Sequence, residues 1–115
     1  MARFIQMIQT NCKDKAREAE FNEWYNKVHL PDIMETPGFL GATRYEIVLP
    51  ATGEAKFLAI YEIEADDLEA ARKALSENMA RKRAAGRFSD LVEIVPPSKA
   101  YREISSYRVT GGCRK

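Results

Sequence analysis

A single histidine, His29, stands where an aromatic helical stripe meets a proline, inside the stretch EFNEWYNKVHLPDIMETPGFLGATRYE. With a reference pKa near 6.5, imidazole is the side chain best suited to taking and returning protons close to neutrality. Tyr25 lies four residues before it and Phe21 four before that, so the three share one helix face, with Trp24 beside them. Asp32, three residues further on, is placed to hold one imidazole nitrogen and leave the other for a substrate proton. A competing reading has no chemistry in it: a histidine near a helix C-terminus satisfies free carbonyls and favours the helix dipole.

Three further residues are of types that line a small-molecule site. Alternation along FLGATRYEIVL puts Arg44 and Glu46 on one face and Tyr45 on the other. Under the helices, Arg44 would bind a carboxylate or phenolate; on the other face it would pair with Glu62 or Glu103, and this ion-pair reading is the expectation. Glu62 interrupts the apolar run FLAIYEI, so its carboxylate must be paired or functional. Tyr61, on the opposite face from Glu62, is either core or a phenolic donor in a cavity.

Composition narrows the remaining classes. At 115 residues, 45% of them apolar and 30% charged, the chain is sized for one globular core, expected over 1–110 with a frayed tail at 111–115. A net charge of +1 lacks the electrostatic footprint of a nucleic-acid binder, and RKRAAGR reads as a solvated helix end. No apolar run is long enough to span a bilayer, and the N-terminal run broken by Gln6 and Gln9 lacks a signal-peptide core, which makes a cytoplasmic location the expectation. Cys12 and Cys113 read as free thiols. One histidine with Asp32 and Glu35 offers too few ligands for a metal, so no metal site is expected.

The elements that must position these residues follow from periodicity. Residues 3–9 alternate as a strand, with Phe4, Gln6 and Ile8 on one side and Ile5 and Met7 on the other. Asp14 caps a helix with Phe21, Trp24, Tyr25 and Val28 on its buried face, and Pro31 is expected to end it. Strands over 39–49 and 56–64 flank the loop PATGEA. Asp66 is expected to cap a second helix running to about Ala85, with Leu68, Ala71, Leu75 and Met79 inward and Gly86 as its stop. LVEIV, a Pro96-Pro97 break and a last strand carrying Tyr101, Glu103, Ser105, Tyr107 and Val109 complete the chain. The order is βαββαβ, a ferredoxin-like α+β sandwich with a four-stranded antiparallel sheet and both helices on one face. Its other face would be a bare apolar patch, so a homodimer packed sheet to sheet is expected.

The pattern WYNKVHLPDIMETPGFLGATRYE resembles the aromatic–His–x–Pro–Asp…Pro–Gly–Phe…Arg–Tyr signature of EthD-like proteins, within the dimeric α+β barrel superfamily. The resemblance implies a pocket between helices and sheet in each subunit, with His29 as the acid/base residue and Trp24, Tyr25 and Asp32 at flanking signature positions. Haem-degrading relatives fit poorly, because their ligating histidine lies on the second helix, where this sequence has none.

The expected function is that of a small, cofactor-independent enzyme acting on an aromatic or polyketide-like metabolite by cyclisation, dehydration or decarboxylation. His29 would be the acid or base and Asp32 its orienter. Tyr25 and Tyr61 would hydrogen-bond the substrate, with Phe21 and Trp24 as the apolar wall. A cofactor-free monooxygenase and a noncatalytic ligand-binding or accessory protein are the alternatives. In none of these readings is a nucleic acid or a membrane the partner.

Overall fold

A computed structural model describes residues 1–49 and 53–109. Cys113, the proposed tail and the first half of the PATGEA loop lie outside the described residues. Strand β1 (Ala2–Cys12) is followed by a short turn of helix at Lys15–Arg17, opened by the Asp14 carboxylate accepting from the Ala16 N–H. Helix α1 (Glu18–Trp24) runs into a wider, π-helical segment (Tyr25–His29) and then α2 (Leu30–Ile33). Strands β2 (Phe39–Glu46) and β3 (Phe57–Ala65), helix α3 (Leu68–Ala84) and strand β4 (Val92–Arg102) complete the order. The sheet is antiparallel throughout, ordered β2-β3-β1-β4, with the first and third strands of the sequence at its centre. This is the ferredoxin-like α+β arrangement expected from the periodicity.

Pro31 does not end the first helix. Proline lacks an N–H, and in a regular α-helix its ring clashes with the carbonyl four residues back. Here Leu30 donates instead to the Tyr25 carbonyl five residues back, and Leu30 keeps helical dihedrals (φ −61°, ψ −48°) although a proline follows it. The widened turn carries the chain past Pro31, and its last residue is His29. The helix then stops before Gly38, which has φ +90°; a Cβ there would lie 2.9 Å from the Glu64 carbonyl oxygen, so this tight entry into β2 requires glycine.

The core forms where one sheet face meets the helices. Along β3, Phe57, Ala59, Tyr61 and Ile63 are buried, while Leu58, Ile60, Glu62 and Glu64 point to the other face. Phe21 and Tyr25 are fully buried against them; burial of each such side chain is worth about 1.5–3 kcal/mol. Helix α3 presents Leu68, Ala71, Leu75 and Met79 inward as the spacing predicts, but its cap is Asp67, which accepts from the Glu69 N–H, rather than Asp66. Asn78, also inward, donates to the Asp32 carbonyl and the Thr36 hydroxyl and ties α3 to α2.

Two strand details depart from expectation. β4 passes through Pro96-Pro97 without breaking, because it is an edge strand and the ladder skips there: Met7 to Gln9 on β1 faces Lys99 to Val95 on β4. Its pairing ends at Arg102 instead of continuing to Val109, leaving Ile104 and Tyr107 more than nine-tenths exposed.

Candidate active site

His29 lines a cleft of about 170 Å³ between α3, the first helical segment and the sheet. The π-helical turn brings its imidazole into an aromatic cage. It stacks on Trp24 (4.7 Å between centroids, 20° between planes) and meets Tyr25 edge-on at 4.9 Å and Phe88 at 5.4 Å. Neither ring nitrogen has a hydrogen-bond partner among the described residues. Burial lowers the His29 pKa from 6.5 to about 4, Asp32 opposing the shift and Arg44 adding to it, so the imidazole is neutral at pH 7.

Beside it the Tyr25 and Tyr61 hydroxyls meet at 3.1 Å, both buried. Burial pushes both phenols above their ordinary value, so they remain protonated donors near neutrality. Gln6 and Thr10 reach the cleft from β1, while Ile8, Ile33, Leu75, Met79, Phe88, Val92 and Ile94 make the apolar remainder. The size matters, because a dry apolar cavity of about 150 Å³ holds a single benzene ring. The cleft therefore suits one ring, or the end of a larger ligand that extends outward.

The residues singled out from sequence fall into three groups. His29, Tyr25 and Tyr61 line the cleft together. Phe21 and Trp24 stand behind them: Phe21 is core, packed on Tyr25 and Phe57, and Trp24 backs the imidazole while its indole N–H donates to the Arg87 carbonyl at 2.9 Å. The remaining three serve elsewhere. Asp32 does not orient His29, because Arg87 binds both of its carboxylate oxygens (2.7 and 3.0 Å). Glu62 faces the opposite side of the sheet from Tyr61 and is exposed, where water solvates its charge.

Arg44 lies under the first helix and makes no pair with Glu62 or Glu103. A one-residue bulge at Leu40, between the pairs Phe39–Ile63 and Gly41–Glu62, switches the faces of β2 and turns Arg44 inward. There it donates to Asn22 and Asn26 at 2.9 Å each and lies 4.2 Å from the Tyr25 ring centroid, bracing the tyrosine from behind.

Sequence reasoning passed over Gln6, Thr10, Phe88 and Arg87. The first was legible, since alternation places Gln6 on the same side as Phe4 and Ile8. Phe88 and Arg87 lie in an irregular segment whose path no periodicity reveals. Among the described residues, no group of three or more His, Cys, Asp or Glu side chains is arranged to hold a metal ion. No helix of the described residues is long and apolar enough to cross a membrane.

A family model described as a domain of unknown function, DUF4286, matches residues 3–93, from β1 into the start of β4. The chain belongs to the DUF4286 family. The match spans the whole of the cleft except Ile94. No curated protein matches this DUF4286 chain. Among solved structures it is similar to HapK from Hahella chejuensis, with a TM-score of 0.71 and 18% identity over 94% of this chain and 99% of that one. It is also similar to an EthD family protein from Bacillus halodurans (TM-score 0.53, 24% identity, 90% and 100% coverage). A third is a dimeric ferredoxin-like protein from an uncultured marine organism (TM-score 0.61, 12% identity, 93% and 100% coverage). The EthD-like, ferredoxin-like fold anticipated from the sequence is thus the fold of its structural neighbours.

Proposed function

We propose that this protein is a small cofactor-independent enzyme that moves protons on an aromatic or polyketide-like ligand held in the His29 cleft. The observation that carries the reading is a neutral, partly buried imidazole with no protein hydrogen bond, open to a ligand-sized cleft beside a pair of protonated phenols. A neutral imidazole accepts a proton from a carbon next to a carbonyl. The Tyr25–Tyr61 pair is placed to donate to the oxygen on which charge develops. The imidazolium so formed is poorly solvated and returns its proton readily, which suits cyclisation, dehydration or decarboxylation, where a proton is taken and given back within one site. Arg44 holds Tyr25 in place for that role.

Acetophenone is a suitable probe, having one ring, one carbonyl and exchangeable methyl protons. The native protein should accelerate methyl hydrogen–deuterium exchange in D2O, and His29→Gln should lower that rate about a hundredfold or more. With His29 as base, the rate should rise with pH through about 4 and stay level across neutrality; as an acid it would fall over the same range. A variant that exchanges at the native rate, or a native protein that exchanges no faster than buffer, overturns the assignment.

A second reading is a noncatalytic ligand-binding protein. It is favoured by the Asp32–Arg87 pair, which leaves the imidazole without a carboxylate to orient it. Ligand binding by a native protein that catalyses no exchange would support it.

We also propose a sheet-to-sheet homodimer. On the open face, cross-strand rows Thr43–Ile60–Met7–Lys99 and Tyr45–Leu58–Gln9–Val95 set apolar side chains beside one another with no layer above them. Sedimentation should give twice the 13.1 kDa chain mass; a 13.1 kDa species at micromolar concentration removes the dimer.

A further inference from the structure

The basic end of α3 is more than a solvated helix terminus. Of its neighbouring cations, Lys82 is paired with Glu35 and Arg87 with Asp32. Arg83 has no carboxylate partner among the described residues. It continues the i, i+4 stripe of Leu75 and Met79, which form one wall of the cleft, so it projects to the cleft mouth. Its guanidinium carbon lies 4.3 Å from the centroid of the Phe88 ring, the ring that also touches His29. Arg83 is the one formally charged side chain lining the cleft at neutral pH; the deeper polar groups, Gln6, Thr10, Tyr25 and Tyr61, are all uncharged.

We infer that Arg83 is a specificity residue, selecting ligands that combine an apolar ring with an anionic carboxylate tail held at the cleft mouth. The inference rests on the His29 cleft being the ligand site and adds the chemical class of the ligand. The seat of Arg83 over Phe88 holds the guanidinium at the mouth, and its N–H groups have no hydrogen-bond partner among the described residues, which leaves them for a carboxylate bound through two parallel hydrogen bonds. A full carboxylate charge is disfavoured deeper, because among Ile8, Ile33 and Met79 it would be desolvated and the uncharged donors lining the cleft supply no countercharge. Since Arg83 and His29 both contact Phe88, their separation is at most about 10 Å. The tail is therefore short, and anchoring it brings the carbon next to the ring against the imidazole.

The probes are 3-phenylpropionate and its uncharged counterpart 3-phenylpropanamide, with binding followed through the NMR shifts of the His29 imidazole and the Trp24 indole. The native protein should bind the carboxylate about threefold to tenfold more tightly than the amide. Arg83→Gln should abolish that preference, with carboxylate affinity falling to that of the amide in the same variant, and Arg83→Lys should restore part of it. Equal affinity for both probes, or a preference that survives Arg83→Gln, overturns the role of Arg83 and leaves the cleft intact. If neither probe shifts the His29 or Trp24 signals, the cleft itself is not a ligand site and both readings fall.

Discussion

The two faces of one sheet have had opposite histories of solvent. On the helix-covered face, β1 and β3 contribute Gln6, Thr10, Ala59, Tyr61 and Ile63, all buried, and the polar members point toward the small cleft. On the open face the same strands contribute Ile5, Met7, Leu58 and Ile60, only partly covered, and Ile5 and Ile60 line an open hollow of about 480 Å³ that also takes in Tyr45, Tyr101 and Glu62. The larger hollow carries less chemistry. Its charged groups reach water, whereas His29 and the two tyrosines in the smaller cleft are perturbed by loss of water. Desolvation, more than volume, distinguishes the covered side.

The sharpest way to break this contrast is Phe21→Ala. Phe21 is fully buried and in contact with Tyr25, Trp24 and Phe57. Its truncation should cost about 3–5 kcal/mol in urea unfolding, and a loss below about 1 kcal/mol would show that the covered face is not the folding core.

Next in size is the pH dependence of stability. The folded His29 titrates near 4 and the unfolded one near 6.5, so between these values the unfolded chain binds a proton that the folded chain does not. Stability should rise with pH across that window, reach its full value above it, and fall by up to about 3 kcal/mol as the pH drops to 4. His29→Gln should lack this component. Parallel stability–pH curves for native and variant proteins would contradict the desolvated, neutral imidazole.

The smallest effect on the folded chain should come from the open face. Ile60→Lys leaves a flexible stem on the sheet and lifts its charge into water, so the far-ultraviolet circular dichroism should be unchanged. A charge at the centre of a sheet-to-sheet contact should nevertheless convert the dimer to a monomer in sedimentation. An intact Ile60→Lys dimer would move the interface elsewhere.

Periodicity carried the fold because each element buries one face: the stripe Phe21, Tyr25 and the alternation of β3 have a single solution against one sheet. The candidate cleft was legible where the same periodicity applied, at His29, Tyr25 and Tyr61. It was not legible where a local irregularity reset the phase. The bulge at Leu40 decides which face Arg44 occupies, and a one-residue offset leaves no signature in composition. Asp32 was misassigned because its partner, Arg87, is 55 residues away along the chain, beyond the reach of spacing rules. Pro31 was read as a stop because an α-helix cannot easily pass it, and the wider turn before it was not foreseen.

That wider turn has a consequence for how such chains are compared. A π-helical turn holds one residue more than the α-helical turn it replaces. A relative with an unbroken α-helix between the equivalents of Phe21 and Asp32 would be one residue shorter there. An alignment that forbids gaps inside helices would then displace either the aromatic stripe or the Pro-Asp pair by one position, and His29, at the end of the turn, is the residue whose equivalent would be lost.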